Sequence, residues 1–221
     1  MDINNKNCTN NNDTNSKITL YIDADDTIML SSVAVIEILN KRYNLNPRKT
    51  IDDLKDWGYR SIYGLLSKEE KDAIYESDEF YDTVKLDPDF LSFYNTNRKH
   101  FHFVVVTKGT RSNIEKKEKF LRDVLGNGFE YIGLPINMEE TDIARKYDKS
   151  SVNMRHGIQI DDRTDALIKT NAPIKILYRH NTDMTWNRDY DGIHNLYTTN
   201  TWKQIIDILL FAKDNHFLFK K

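Results

Sequence analysis

The chain is poor in the residues that staple or punctuate small folds. It has one cysteine, Cys8, so an intramolecular disulfide and a zinc site of several cysteines are both excluded. Glycine and proline are scarce, 8 and 4 in 221 residues, beside abundant Asn and Lys, a bias that points to an AT-rich coding source. No apolar stretch is long enough to span a bilayer. The opening residues Met1-Asp2-Ile3-Asn4-Asn5-Lys6 lack the charged-then-apolar order of a secretory signal. An excess of one charge is missing too. The 34 acidic and 32 basic residues leave −2, so there is no electrostatic footprint for long nucleic acid or for a membrane surface. The expectation is a soluble cytoplasmic protein with neither as a partner; its oligomeric state is not legible.

What is present begins after an Asn-rich stretch, residues 1–16, which reads as a disordered tail with almost nothing to bury. Ile18-Thr19-Leu20-Tyr21-Ile22 is a short β-prone run, and it passes straight into Asp23-Ala24-Asp25-Asp26-Thr27. Carboxylates crowded at a strand end repel one another and resist burial unless something cationic, normally a metal ion, sits among them. In parallel α/β sheets the ligand site lies at the carboxyl ends of the strands.

From Ser31 to about Asn97 the pattern turns helical. Val33, Ile36, Leu39 and Tyr43 suit one helix, and Ile51, Leu54 and Trp57 continue the helical reading. Ser67 and Glu70 resemble a capping box, and Pro88 opens a further helix. Phe101–Val106 reads as a second buried strand, followed by Thr107-Lys108-Gly109-Thr110. Ser112–Leu125 reads as a charged surface helix ended by Gly126 and Gly128, with Glu115-Lys116-Lys117-Glu118-Lys119 as a solvated face. Tyr131–Leu134, Gly157–Ile160 and Ile174–Tyr178 are three more strands, and Trp202 to about Ala212 is a closing helix. Alternating strands and helices predict an α/β fold with a mostly parallel sheet and helices on both faces. The segment 31–97 is too large for a simple crossover and reads as an inserted helical cap. Residues 17–30 and 98–221 form the core.

If the apolar runs ending at Asp23, Thr107 and Asp161-Asp162 are adjacent parallel strands, their ends share one site with Lys149. Carboxylates from two strands suit a hard cation such as Mg²⁺. A hydroxyl, backbone N–H groups and a lysine suit a phosphoryl group. One carboxylate can act as nucleophile and another, two residues on, as general acid/base. Asp26 reads as a local cap of the next helix or turn, Thr107 competes with a turn role, and Lys149 competes with Lys146 and Arg145. Arg163 reads as an ion-pairing surface residue. The six histidines, His100, His102, His156, His180, His194 and His216, show no ligand spacing.

Asp23-x-Asp25-x-Thr27, Thr107 after its strand, a downstream lysine and Asp161-Asp162 resemble the four motifs of the haloacid dehalogenase (HAD) superfamily of phosphotransferases, with Asp26 where glycine is common. The Asp25-Asp26-Thr27 variant, Asp148-Lys149-Ser150 before Ile160-Asp161-Asp162-Arg163, and Asn187-Arg188 before Trp202 are similar to the 5′(3′)-deoxyribonucleotidase family within it. The resemblance implies a Rossmann-like three-layer core with a small helical cap after the first strand. It implies a Mg²⁺-dependent phosphomonoester hydrolase acting on nucleoside 5′- or 3′-monophosphates, with a deoxyribose preference. Asp23 would be the nucleophile and Asp25 the acid/base. The Asp23 carboxylate, the Asp25 carbonyl and Asp161 would hold Mg²⁺, with Asp162 behind them or acting through water. Thr107 and the Lys108 N–H would bind phosphate oxygens, Lys149 would neutralise the phosphoryl charge, and Thr27 would orient the first loop. Trp57, Tyr59, Phe80 and Tyr81 are cap-core residues or, for at least two of them, an aromatic wall for a base; Trp57, Phe80 and Tyr81 are the candidates. A phosphatase for a sugar phosphate or a nucleic-acid 3′-phosphate is the alternative, and a noncatalytic binding module is a third reading.

Overall fold

The computed structural model describes residues 17–136, 148–180, 184–188 and 192–215. The Asn-rich segment, Arg145, Lys146 and His216 lie outside the described residues. Six strands, β1 (Ile18–Ile22), β2 (Phe101–Gly109), β3 (Glu130–Pro135), β4 (Gly157–Asp161), β5 (Ile174–Tyr178) and β6 (Leu196–Thr199), form one sheet. Their order is β3-β2-β1-β4-β5-β6, and every neighbouring pair is parallel. This is the α/β Rossmann-like fold that the alternation implied.

The last strand, β6, was not expected from the sequence. Leu196-Tyr197-Thr198-Thr199 is β-prone, but it is a half-exposed edge strand and lacks the predominance of isoleucine and leucine that marks β4 and β5, both buried along their whole length. Alternate residues of β2 enter separate apolar clusters. Phe101, Phe103 and Val105 join the large core with Leu20, Ile22, Ile158 and Ile160, whereas Val104 and Val106 join Leu134, Met154 and Ala172. The sheet is therefore covered on both faces. Gly157 is required where β4 meets β1, since a Cβ there would lie 2.5 Å from the Thr19 carbonyl oxygen.

Between β1 and β2 run α1 (Ser31–Arg42), α2 (Lys68–Tyr75), α3 (Asp78–Thr83) and α4 (Pro88–Asn97). The capping box at α2 is present: Glu70 N donates to Ser67 Oγ at 3.1 Å and Ser67 N to Glu70 Oε2 at 2.7 Å. α4 starts with Asp87 as cap and Pro88 in its first turn. The helix read through Trp57 is a correction. Only Ile51–Asp53 forms a 3₁₀ turn, and the chain then turns through Gly58, Tyr59 at φ 58° and Gly64 at φ 134°. The helical backbone breaks already at Leu54, which is extended at φ −77° and ψ 119°, and the positive φ values further on keep the helix from resuming, however regular the apolar spacing.

α5 (Arg111–Leu125) joins β2 to β3, α6 (Thr164–Lys169) joins β4 to β5, and α7 (Trp202–Asp214) follows β6. α4 and α7 meet through Phe90 and Trp202, whose ring centroids are 4.9 Å apart. Trp202 is buried and its Nε1–H donates to the Thr27 carbonyl at 2.7 Å, tying the closing helix to the loop after β1. Among the described residues no helix is long and apolar enough to cross a membrane.

Candidate active site

The strand order reverses between β1 and β4, which is where an open parallel sheet leaves a crevice at its carboxyl edge. Ile22 is level with Ile160, so Asp23 and Asp161 are neighbours on adjacent strand ends, and Asp23 N donates to the Ile160 carbonyl at 2.9 Å. Lys149, in a 3₁₀ turn started by Asp148, lies between them. Its Nζ is 2.5 Å from Asp23 Oδ1 and 2.7 Å from Asp161 Oδ2. The other Asp161 oxygen accepts from Arg163 N at 3.0 Å. Asp162 accepts from Trp186 Nε1 at 2.8 Å through Oδ2 alone among the described residues.

Asp23, Asp161 and Asp162 are all buried, and each presents an oxygen within 4.8 Å of the others. Burial raises the Asp23 carboxyl to about 6 even though Lys149 pulls it down, because Asp161 and Asp25 add repulsion. Burial, with the Asp23 and Asp161 charges, pushes Asp162 well above the carboxylate range. Burial alone would lower Lys149, but Asp161 and Asp23 outweigh it and hold the ammonium above its ordinary value. One lysine cannot satisfy three buried carboxylates. An all-oxygen donor set that is short of positive charge fits a hard divalent cation.

Asp25 is held by a different set of partners, with Lys149 not among them. Its Oδ1 accepts from Ser31 Oγ at 2.7 Å, and its Oδ2 accepts from Lys117 Nζ, which also donates to Thr107 Oγ1 at 3.0 Å. Because the Thr107 hydroxyl accepts from Lys117, its own O–H is free to donate to a ligand. Lys117 corrects the solvated reading of 115–119: its side chain is 0% exposed. Asn113, Lys117, Leu121 and Leu125 form the buried stripe of α5, so the signal was Lys117's place four residues before Leu121. Asp26 is the local cap that it resembled, accepting from Ser32 N at 2.7 Å at the start of α1, with φ 51°. His180, given no role from the sequence, donates through Nε2 to the Asp26 carbonyl at 2.5 Å. Thr27 is buried, and its Oγ1 has no partner among the described residues.

Two cavities meet at Asp25, Trp57, Lys108 and Ile136. One, of about 320 Å³, contains Asp23, Lys149, Asp162 and Arg163. The other, of about 410 Å³, runs along Lys68, Lys71, Tyr75 and Thr110. Trp57 is 39% exposed, meets Trp186 edge to face at 5.4 Å and lies under the Arg163 guanidinium at 5.4 Å. Arg163 also pairs with Asp165 at 3.0 Å, the ion-pairing role read for it. Phe80 is a correction: it is 0% exposed, packed against Tyr75 and Tyr81, and offers no face to either cavity. Tyr81 lines neither cavity, and its hydroxyl is spent on the Asn113 carbonyl at 3.1 Å. Tyr59 is buried, and its hydroxyl contacts those of Ser32 and Tyr75 at 3.2 and 3.1 Å.

A parallel Rossmann-like sheet with buried aspartates at its reversal point defines the class of protein: a crevice-type α/β chain with an acidic, cation-ready centre. No protein-family model matches the sequence, and no curated protein matches it. Solved structures do match in fold. A haloacid dehalogenase-like hydrolase of Streptococcus pneumoniae superposes with a TM-score of 0.52 at 14% identity, over 87% of this chain and 98% of that one. The HAD-type hydrolase YfnB of Bacillus subtilis gives 0.53 at 14% identity, over 87% and 98%. A HAD subfamily IA hydrolase of Geobacter sulfurreducens gives 0.52 at 12%, over 87% and 96%. The chain has the fold of HAD-superfamily hydrolases.

Proposed function

We propose that this chain is a Mg²⁺-dependent phosphomonoester hydrolase that works through an aspartyl-phosphate on Asp23. The observation that carries the reading is the juxtaposition of buried Asp23 and Asp161 across Lys149, with Asp25 two residues on and turned toward Thr107. Asp23, the Asp25 carbonyl, Asp161 and Asp162 are the groups that would hold the cation. Asp162 has one oxygen uncommitted among the described residues, whereas both oxygens of Asp161 are engaged, so Asp162 is the better direct ligand, reversing the order read from the sequence. When bound, Mg²⁺ would offset the charge of the phosphoryl group and of the carboxylates. The YfnB structure is bound to magnesium.

In the first step an Asp23 oxygen attacks phosphorus as the bond to the leaving oxygen breaks, and Asp25 gives its proton to that oxygen. In the second, Asp25 takes a proton from water as the water oxygen attacks the phosphorus, releasing phosphate and the Asp23 carboxylate. Thr107 O–H and Lys108 N–H hold phosphoryl oxygens. Lys149 keeps Asp23 in line and offsets charge. Thr27 helps to set the loop after β1.

The segment 31–97 is the cap in this reading, with α2 walling the cleft while α4 packs on the sheet. The leaving group occupies the larger cavity, where Trp57 supplies an aromatic face. That favours a nucleoside monophosphate, with a deoxyribose preference resting on the likeness to the 5′(3′)-deoxyribonucleotidase family. The test is phosphate release from ribo- and deoxyribonucleoside 3′- and 5′-monophosphates beside sugar phosphates, with Mg²⁺ or EDTA, for wild type and Asp23→Asn. EDTA-sensitive turnover of nucleotides, lost in the variant, is the expected result. Turnover of sugar phosphates alone would discard the nucleotide substrate, and no turnover of any substrate would discard the hydrolase.

A further inference from the structure

Asp25 is gripped at both oxygens. Ser31 Oγ, at the first residue of α1, donates to Oδ1 at 2.7 Å, and Lys117 Nζ, from the inward face of α5, donates to Oδ2. The position of Lys117 on its helix calls for an apolar residue, since it lies in line with buried Leu121 and Leu125. A fully buried ammonium is costly unless its donors are satisfied. Among the described residues the Lys117 ammonium donates to Asp25 and Thr107, and both belong to the site. α5 is also fastened to the wall of the larger cavity: Asn113 Nδ2 donates to the Tyr75 carbonyl at 3.0 Å and Lys116 Nζ to the Glu76 carbonyl at 2.7 Å. One rigid helix thus spaces the cavity wall from the Asp25 carboxyl group.

We propose that Lys117 and Ser31 form a clamp that positions Asp25 for proton delivery to the leaving oxygen. They are positioning residues and touch no reacting atom. This role rests on the phosphatase reading above. It concerns the bond-breaking step: the phosphorus–oxygen bond to the leaving group breaks, the new bond to Asp23 forms, and the proton, held on a lone pair of Asp25 that neither clamp contact uses, moves to the departing oxygen. General acid catalysis contributes roughly 10²–10⁴-fold, and a displacement of about 1 Å can cost ~10²-fold. A p-nitrophenolate departs with little need of a proton, whereas a phenolate, a poorer leaving group, gains more from one. The clamp therefore matters more as the leaving group worsens, which a general packing defect would not reproduce.

The experiment measures kcat/KM, which covers steps only through departure of the leaving group, on p-nitrophenyl phosphate and phenyl phosphate with Mg²⁺. Wild type, Lys117→Met and Ser31→Ala are compared, with folding checked by circular dichroism. Lys117→Met is expected to lose at least ~10-fold more on phenyl phosphate than on p-nitrophenyl phosphate. Ser31→Ala should shift the same ratio in the same direction by a smaller factor. Equal losses on both substrates would overturn the clamp and leave the hydrolase standing. Should Lys117→Met fail to fold, Ser31→Ala decides, and an unchanged ratio there overturns the clamp. No hydrolysis of either substrate by the wild type would overturn the phosphatase reading and this role with it.

Discussion

Lys149 places its ammonium 2.5 Å from Asp23 and 2.7 Å from Asp161, bridging the two strand ends that flank the reversal of the sheet. The bridge lies at the floor of the smaller cavity with its three side chains at most 9% exposed, so removing the lysine strands two carboxylates that water reaches poorly. Lys149→Met should cost roughly 3–5 kcal/mol of unfolding free energy in metal-free buffer. In Mg²⁺ it should lower kcat by about 10²–10³ on every phosphoester, since the loss is at the phosphoryl group. Urea unfolding in EDTA and steady-state kinetics check the two halves; a stable variant with full activity would contradict both.

Metal-free stability should depend on pH in a direction set by Asp23. Its carboxyl is raised in the folded chain to about 6, above its unfolded value, so the unfolded chain gives up this proton first as pH rises. The contribution is therefore lost between about pH 4 and pH 6, on the order of 2–3 kcal/mol for this group. A bound cation reverses the trend, because its carboxylate ligands must be ionised. Melting curves in EDTA and in Mg²⁺ at pH 5 and pH 8 should show a larger Mg²⁺ increment at pH 8. An increment independent of pH would argue that the cation binds elsewhere.

Trp57 and Phe80 stand in contrasting environments and should respond differently. Trp57→Ala removes an exposed ring from the meeting point of the two cavities and should raise KM for nucleoside monophosphates by about 5- to 150-fold, with a small change on p-nitrophenyl phosphate. Phe80→Ala opens a cavity in the core and should cost about 3–5 kcal/mol of stability, with no preference among substrates. Equal KM changes on both substrates for Trp57→Ala would remove the stacking role.

Trp202→Phe keeps most of the apolar contact with Phe90 but deletes the donor to the Thr27 carbonyl, leaving that buried oxygen unpaired. A loss of about 1–3 kcal/mol is expected in urea unfolding, with the loop after β1 loosened. An unchanged midpoint would show that water replaces the indole.

Much of this was legible in the chain. Ile18–Ile22, Phe101–Val106 and Gly157–Ile160 are largely apolar runs because their strands lie in the middle of a covered sheet, and the acids after the first and the last, Asp23 and Asp161-Asp162, mark where the sheet edge opens. Lys149 was singled out by its motif context. Lys117 and Trp186 were not found because their partners are distant in sequence, Lys117 reaching Asp25 across 92 positions, and Ser31, six residues from Asp25, was missed because a lone serine at a helix start carries no distinguishing pattern. In a run as charged as Glu115–Lys119, only the phase of Leu121 and Leu125 distinguishes the buried lysine from its solvated neighbours. Phe80 failed as a base-stacking residue because aromatic character alone does not say whether a ring faces a cleft or a core. β6 was hidden by its polar, half-exposed edge.

The most direct measurement is acid quench of the enzyme during turnover of a nucleoside monophosphate with Mg²⁺, followed by peptide mass mapping. The account predicts one phosphoryl group on the peptide that carries Asp23, absent with EDTA and absent in Asp23→Asn, which should also release no phosphate. Undiminished phosphate release by Asp23→Asn, with no phosphorylated peptide in the wild type, would contradict it.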